Sequence, residues 1–218
     1  LPIYADQGEW LQSNPEAIVF TNERHSASTN AGWSYLPCAF DPEVHKEVDP
    51  DLSVGCDVLF LGSGFADRQK FFETVDWTGV DLRLLGPWPN MTDDSPLAQF
   101  QNGECIDNSL ASSYYRAAKI NLNLHRAHPH AESTNPRTYE VAASGAFQVS
   151  DYRAEIPEIF GSSIPTFRTA SELRHLIDRY VADEPMRRRL ATEAQRRVAK
   201  HTFASRAESL VSSLRDVL

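Results

Sequence analysis

The sequence is poor in the features that would settle a class at once. It has three cysteines, Cys38, Cys56 and Cys105, an odd number with no CxxC spacing. A disulfide scaffold and a cysteine-rich zinc module are therefore disfavoured, and reduced thiols in a cytoplasmic protein are the simpler reading. No run approaches the roughly 20 apolar residues that cross a bilayer, and no signal-peptide pattern opens the chain. Basic residues are also short: 21 Lys and Arg against 30 Asp and Glu leave a net charge of −9. That balance argues against nucleic acid or anionic membrane held by bulk charge. The chain opens on Leu1 rather than Met, as expected of a processed, trimmed or fragmentary product.

What is present suits a globular chain. Hydrophobic residues make up 41% and charged residues 23% of 218 positions, and a chain of this size buries about 70% of its unfolded surface. Short apolar runs alternate with amphipathic stretches, which predicts an α/β Rossmann-like parallel sheet with helices on both faces. Strands are expected at 17–21, 57–61, 82–85, 120–124, 146–149 and 164–167. Helices are expected around 67–75, 109–118, 137–144, 170–181, 185–200 and 203–218. The segment 41–51, with two prolines and five acidic residues, reads as a linker, and the proline-rich stretch 86–96 reads as a long loop. A boundary near residue 47 follows: 1–47 as the tail of a preceding domain and linker, 48–218 as the main domain with its C-terminal helices.

Two stretches carry chemistry. In Asp57-Val-Leu-Phe-Leu-Gly62-Ser63-Gly64-Phe-Ala-Asp-Arg68 a buried strand runs into a glycine turn and a helix. Such turns present amides to anions, and Arg68 adds a fixed charge. A dinucleotide fingerprint would need glycine where Asp67 stands, and the Walker lysine is missing, which weakens a hydrolase or kinase. A plain strand-to-helix turn with a surface arginine is the alternative. The second stretch is Lys119-Ile-Asn-Leu-Asn-Leu-His125-Arg126, a loop, then Glu132-Ser-Thr-Asn135-Pro136-Arg137-Thr138-Tyr139-Glu140-Val-Ala-Ala-Ser-Gly. Pro136 suits the first turn of a helix. Its start and Arg137 could hold phosphates, and Glu140, about one turn in, could accept both hydroxyls of a ribose. A solvated glutamate favoured by the helix dipole is the other reading.

The run Tyr115–Phe160 resembles the C-terminal, donor-binding half of group 1 glycosyltransferases with the two-domain GT-B fold, and most of all their spore-maturation, CgeB-like branch. Lys119-Ile-Asn-Leu-Asn, Pro136-Arg-Thr-Tyr-Glu-Val-Ala-Ala-Ser-Gly-Ala-Phe147 and Ser150-Asp-Tyr carry the likeness. Glu155-Ile-Pro-Glu158-Ile-Phe-Gly161, His201-Thr-Phe with Arg206, and Leu61-Gly-Ser with Arg68 extend it. The resemblance implies a hexosyltransferase-type enzyme that takes a nucleotide-diphosphate sugar such as a UDP- or GDP-sugar, with no cofactor and no metal. It implies nucleotide-sugar contacts at Gly62, Ser63, Gly64, Arg68, Arg126, Asn135, Arg137, Thr138, Tyr139 and Glu140. Glu140 would bind the ribose, and Glu132, with the family's seven residues between the two glutamates, would touch the sugar. Gly86-Pro-Trp88 or Tyr114-Tyr115 would wall the base. The acceptor and the catalytic base would come from an N-terminal GT-B domain or a partner chain. A non-catalytic Rossmann-like nucleotide-binding or assembly module is the alternative function.

Other features read as bland. His125, His128 and His130 beside Glu132 match no zinc spacing and are expected to be solvated or substrate-facing. Seven basic residues between Arg187 and Arg206 flank an apolar stripe of Met186, Leu190, Ala194 and Val198. They read as a solvated face, with a peripheral anionic surface as the sharper reading.

Overall fold

In the computed structural model, every residue is described except 1–9, 12, 15, 104, 128, 129, 131 and 216–218. The chain forms two compact units, Leu1–Pro37 and Cys38–Leu218. In the first, β1 (Val19–Thr21) pairs in parallel with β2 (Trp33–Tyr35) around α1 (Arg24–Thr29). The sequence pattern predicted β1 and missed the other two, which are too short to show a period.

The second unit is a five-stranded parallel sheet, β3 (Cys56–Leu61), β4 (Leu82–Leu85), β5 (Ala118–Asn123), β6 (Gln148–Asp151) and β7 (Thr166–Phe167), in the order 4-3-5-6-7. The helices are α2 (Ala66–Phe72), α3 (Ala111–Ala117), α4 (Pro136–Ala143), α5 (Glu155–Phe160), α6 (Ala170–Ala182), α7 (Glu184–Val198) and α8 (Phe203–Arg215). Alternation along the strands sends side chains to two faces. Val58, Phe60, Ile120 and Leu122 meet Phe72 of α2 and Leu173 and Ile177 of α6. Leu59 turns the other way, toward Ala111 and Tyr115 of α3 and Val141 of α4. Helices on both faces of a parallel sheet are what the alternating pattern predicted.

On the α4 side the sheet is polar where it is deepest. Asn121, Asn123, Gln148 and Ser150 are all buried. Buried amides need partners, and their N–H groups find them: Asn121 Nδ2 donates to the Tyr115 and Phe147 carbonyls, and Gln148 Nε2 to the Thr138 carbonyl at 2.9 Å, while Asn121 Oδ1 and Gln148 Oε1 accept no hydrogen bond among the described residues. Asn123 Nδ2 donates to Asn135 Oδ1 and to Thr138 Oγ1. The polar row thus fixes α4 over β5.

The unit boundary lies ten residues before the expected one, and 41–51 is no free linker. Phe40 and His45 are buried. Phe40 exchanges backbone hydrogen bonds with His201 and Phe203, and the Arg206 guanidinium donates to the Cys38 carbonyl. α5 was not predicted because Pro157 interrupts its six residues.

Candidate functional site

Strand order reverses between β3 and β5, since the chain leaves β3 for β4 on one side and returns as β5 on the other. In open parallel sheets the crevice beyond the carboxyl ends at such a point is where ligands bind. Here the Gly62–Phe65 turn follows β3 and the 124–135 loop follows β5.

Three guanidinium groups converge on that crevice. Arg68 lies over Phe60 and Phe65 with its carbon 5.5 and 5.6 Å from the ring centres, Arg126 over Phe65 at 4.4 Å, and Arg137 over Phe60 at 5.4 Å. Among the described residues none of the three forms an ion pair. Arg68 is buried, and its Nη1 donates to the Ser63 carbonyl at 2.9 Å while its Nε and that of Arg137 have no partner. Burial, then the repulsion of Arg137, pulls the Arg68 guanidinium down to about 10. Like charges gathered against aromatic rings, with Asp67 and Asp151 nearby but in no ion-pair contact with them, form a preorganised anion site.

The glycines serve packing more than ligand amides, a correction to the expectation for Gly62 and Gly64. The Gly62 N–H donates to the Leu85 carbonyl at 2.7 Å and the Gly64 N–H to the Pro87 carbonyl at 2.8 Å. A Cβ on Gly64 would lie 2.0 Å from the Trp88 ring, and one on Gly62 would lie 2.4 Å from Arg137 Nη2. Gly62 is therefore a gap through which the Arg137 guanidinium reaches the crevice.

The start of α4 is held by a buried charged network. His125 Nδ1 stands 2.6 Å from Asp151 Oδ1, and His125 Nε2 accepts the Asn135 N–H at 3.0 Å. That second bond sets the tautomer: Nε2 is the acceptor, so Nδ1 carries the proton and donates to Asp151. Arg153 grips the other Asp151 oxygen through Nε and Nη2. Burial holds the His125 imidazole below its ordinary range despite Asp151. Burial pushes Asp151 up, but its bond to His125, with Arg153 beside it, outweighs that and leaves the carboxyl below the usual range. His125 is thus a buried structural residue, not a solvated or ligand-facing one. His128 lies outside the described residues.

Asn135, the helix cap, accepts the Thr138 N–H through Oδ1 and interlocks with Asn123. Pro136 has no N–H, so of the first amides of α4 only that of Arg137 remains for an anion. Thr138 is fully buried, its hydroxyl between Asn123 and Asn135. Tyr139 is fully buried too, its hydroxyl 3.3 Å from Glu155 Oε1. The expected ligand roles of Asn135, Thr138 and Tyr139 are corrected accordingly: these side chains build the frame. Trp88 is likewise core, edge-on to Phe60 and Phe72, and walls no base.

Glu140 fares differently. Its side chain is 21% exposed, neither walled into the core nor facing open solvent. The Tyr115 hydroxyl lies 3.4 Å from Oε2 and His45 Nε2 lies 4.0 Å from Oε1. The Arg137 charge lies close enough to draw the Tyr115 phenol down while burial, the larger effect, pushes it up, so the carboxylate and the arginine group share a neighbour. The Tyr115 ring itself is buried and Tyr114 half-buried, so Tyr115 meets the site through its hydroxyl and offers no ring face. Glu132 is half-buried in the preceding loop, and its carbonyl accepts the Glu155 N–H at 2.9 Å. Tyr115 and His45 beside Glu140 were not legible from spacing. The asparagines of β5 were: an amide every second residue in a buried strand demands a partner.

Two further features lie apart from the crevice. An open hollow of about 620 Å³ lies at the opposite edge of the sheet, lined by Asp76, Trp77, Asp81 and Phe100, and holds none of the expected residues. The basic stretch 187–206 is largely engaged: Arg196 and Arg197 share Glu193, Arg188 pairs with Glu184, and Arg187 donates to the Tyr180 and Val181 carbonyls. No helix among the described residues is long and apolar enough to cross a membrane.

A family model described as glycosyl transferase-like matches residues 68–212. No curated protein matches in sequence. Among solved structures, sucrose-phosphate synthase from Thermosynechococcus elongatus superposes with a TM-score of 0.66 at 16% identity, covering 91% of this chain and 58% of that one. Anabaena HepE in complex with UDP-glucose gives 0.65 at 14%, covering 92% and 64%. A trehalose 6-phosphate synthase from Burkholderia multivorans gives 0.58 at 13%, covering 90% and 54%. Such identities establish a shared fold, and the chain spans less than two thirds of each of these proteins.

Proposed function

The chain belongs to the glycosyl transferase-like family whose model spans residues 68–212, and on that footing we propose that it is the donor-binding half of a GT-B hexosyltransferase of the CgeB-like branch. The observation that carries this reading is the arginine group without ion-pair partners among the described residues, set one helical turn from a largely covered carboxylate at the strand-order reversal. A nucleoside diphosphate sugar supplies what both lack. Its diphosphate lies among Arg68, Arg126 and Arg137 with the Ser63 turn and the Arg137 amide, and its ribose hydroxyls donate to Glu140. Glu132 faces the sugar.

In the transfer, the bond between the sugar's anomeric carbon and the diphosphate oxygen breaks, and its electron pair leaves with the nucleoside diphosphate. An acceptor oxygen forms the new bond and gives its proton to a base. Negative charge grows on the leaving diphosphate, where fixed guanidinium groups in a desolvated setting stabilise it most. The acceptor and the base come from a second domain or chain, and the compartment is the cytoplasm. UDP-glucose is bound by HepE, which supports a uridine donor as the first to try.

Calorimetry with UDP, GDP and ADP tests the reading on the intact chain. One of them is expected to bind, and Glu140→Ala and Arg137→Ala each to weaken it by about ten- to a hundredfold, the range of one hydrogen bond to an ionised group. No binding of any of the three, or binding indifferent to both substitutions, refutes it.

A further inference from the structure

The residue that sequence spacing did not single out, His45, stands against Glu140 in an unusual state. It is 4% exposed, yet neither ring nitrogen has a hydrogen-bond partner. Buried polar groups are nearly always paired, because leaving one unmade forfeits its hydration without return. A buried imidazole with two idle nitrogens therefore points to a partner that arrives or moves. The Glu140 carboxylate stands close by, with Oε1 4.0 Å from Nε2, about 1 Å beyond hydrogen-bond range.

His45 is also well anchored to the turn that carries Glu140. Its N–H donates to the Asp41 carbonyl at 2.8 Å, and Asp41 Oδ1 accepts the Glu43 N–H. Ser112 Oγ lies within reach of the Val44 carbonyl and Ser144 Oγ within 2.8 Å of the Glu140 carbonyl; the two hydroxyls are 2.9 Å apart, and whichever donates across that gap gives up its carbonyl. Arg116 pairs with Glu47 at 3.1 Å a few residues on. The histidine and the glutamate are thus connected through a short row of serines, and only their side chains are left apart.

We propose that His45 is a positioning residue for Glu140: when a ribonucleotide enters, the carboxylate closes onto His45 Nε2 and is held between it and the Tyr115 hydroxyl. This rests on the ribose reading of Glu140. A carboxylate offers about four acceptor directions on two oxygens. Tyr115 takes one at Oε2 and His45 one at Oε1, which leaves one on each oxygen for the two hydroxyls of a ribose. Without His45 the carboxylate is held on one side only, and its pairwise aim at vicinal hydroxyls is lost.

The test compares UDP, GDP and ADP with their 2′,3′-dideoxy counterparts by calorimetry on the full chain. The wild type and the variants His45→Phe, His45→Gln and Glu140→Ala are measured, with thermal melting as the folding control. The wild type is expected to prefer the ribonucleotide by about ten- to a hundredfold. His45→Phe should lose most of that preference and bind the dideoxy compound as the wild type does, while His45→Gln, which keeps a donor, should recover part of it. If His45→Phe does not fold, His45→Ala is read the same way. Preference retained without His45, or both nucleotides weakened alike, overturns the positioning role while Glu140→Ala still confirms the ribose contact. A wild type with no preference between the two sugars overturns the ribose reading, and this inference with it.

Discussion

Two alanine substitutions two residues apart, at Gly62 and Gly64, should have opposite consequences. At Gly64 the new Cβ lies 2.0 Å from the six-membered part of the Trp88 ring. That ring cannot yield: Trp88 is 5% exposed and packs edge-on against Phe60 at 5.8 Å and Phe72 at 5.5 Å. Overpacking a tight core costs roughly 1–3 kcal/mol, and overlap with an immobile ring places this case at the upper end. At Gly62 the obstacle is Arg137 Nη2 at 2.4 Å, the tip of a flexible side chain. Moving it costs little, and a φ of +156°, rare for other residues, adds about 1 kcal/mol. What is lost is the guanidinium's place in the crevice, about 1.5–3 kcal/mol of interaction with an anion. Urea denaturation and UDP calorimetry on both variants provide the check. Gly64→Ala should lose about 3 kcal/mol of stability. Gly62→Ala should lose about 1 kcal/mol but bind the nucleotide ten- to a hundredfold more weakly. Equal stability losses, or unaltered binding in Gly62→Ala, would refute the assignment of Arg137 to the anion site.

Three more outcomes follow from the buried groups. His125→Ala takes one side-chain bond from Asp151, leaves the Asn135 N–H unpaired and opens a cavity, so urea denaturation should show a loss of about 2–4 kcal/mol. Both His125 and His201 are held below the ordinary imidazole range, by burial first, and for His201 next by Arg206, down to about 4. Between those lowered values and the unfolded value near 6.5 the unfolded chain binds more protons, so stability is full above pH ~6.5 and falls as pH drops through that window. Melting temperatures at pH 7.5, 6 and 5 should therefore decline in order, and a flat profile would contradict the lowering of both imidazoles. The Cys56 thiol, pushed up to about 12 by burial, should resist iodoacetamide at pH 8 while exposed Cys105 reacts, as peptide mass spectrometry will show.

The strands of the main sheet were readable because buried parallel strands are nearly continuous apolar runs: 82–85 is Leu82–Leu85 to the residue, and Cys56–Leu61 begins one residue early. The shift from 120–124 to Ala118–Asn123 reflects pairing with β3, which hydrophobicity does not report. The placement of Arg68, Arg137 and Glu140 at the carboxyl end of the sheet was legible because their spacing from a strand end and from Pro136 fixes which end they reach. Thr138 and Tyr139 were mistaken for ligand contacts because position within a motif says nothing of rotation about the helix axis. Glu140 turns outward while Tyr139, one residue back, points into the core. The segment around His45 was read as a linker from its acidic, proline-containing composition. Nothing local signals that Phe40 clips onto the chain past His201.

The amide pair in β5 also bears on how the chain finds its native arrangement. A slip of β5 by one residue against β3 would exchange its two faces. Asn121 and Asn123 would then face Phe60 and Phe72, and Ile120 and Leu122 would press on Thr138 and Gln148. Each stranded carboxamide costs about 1–3 kcal/mol, a large fraction of what such a domain has in total. Misaligned docking is thus self-rejecting, and the first alignment to persist during folding is the one that brings Asn135 and Thr138 to those amides and closes the crevice around them.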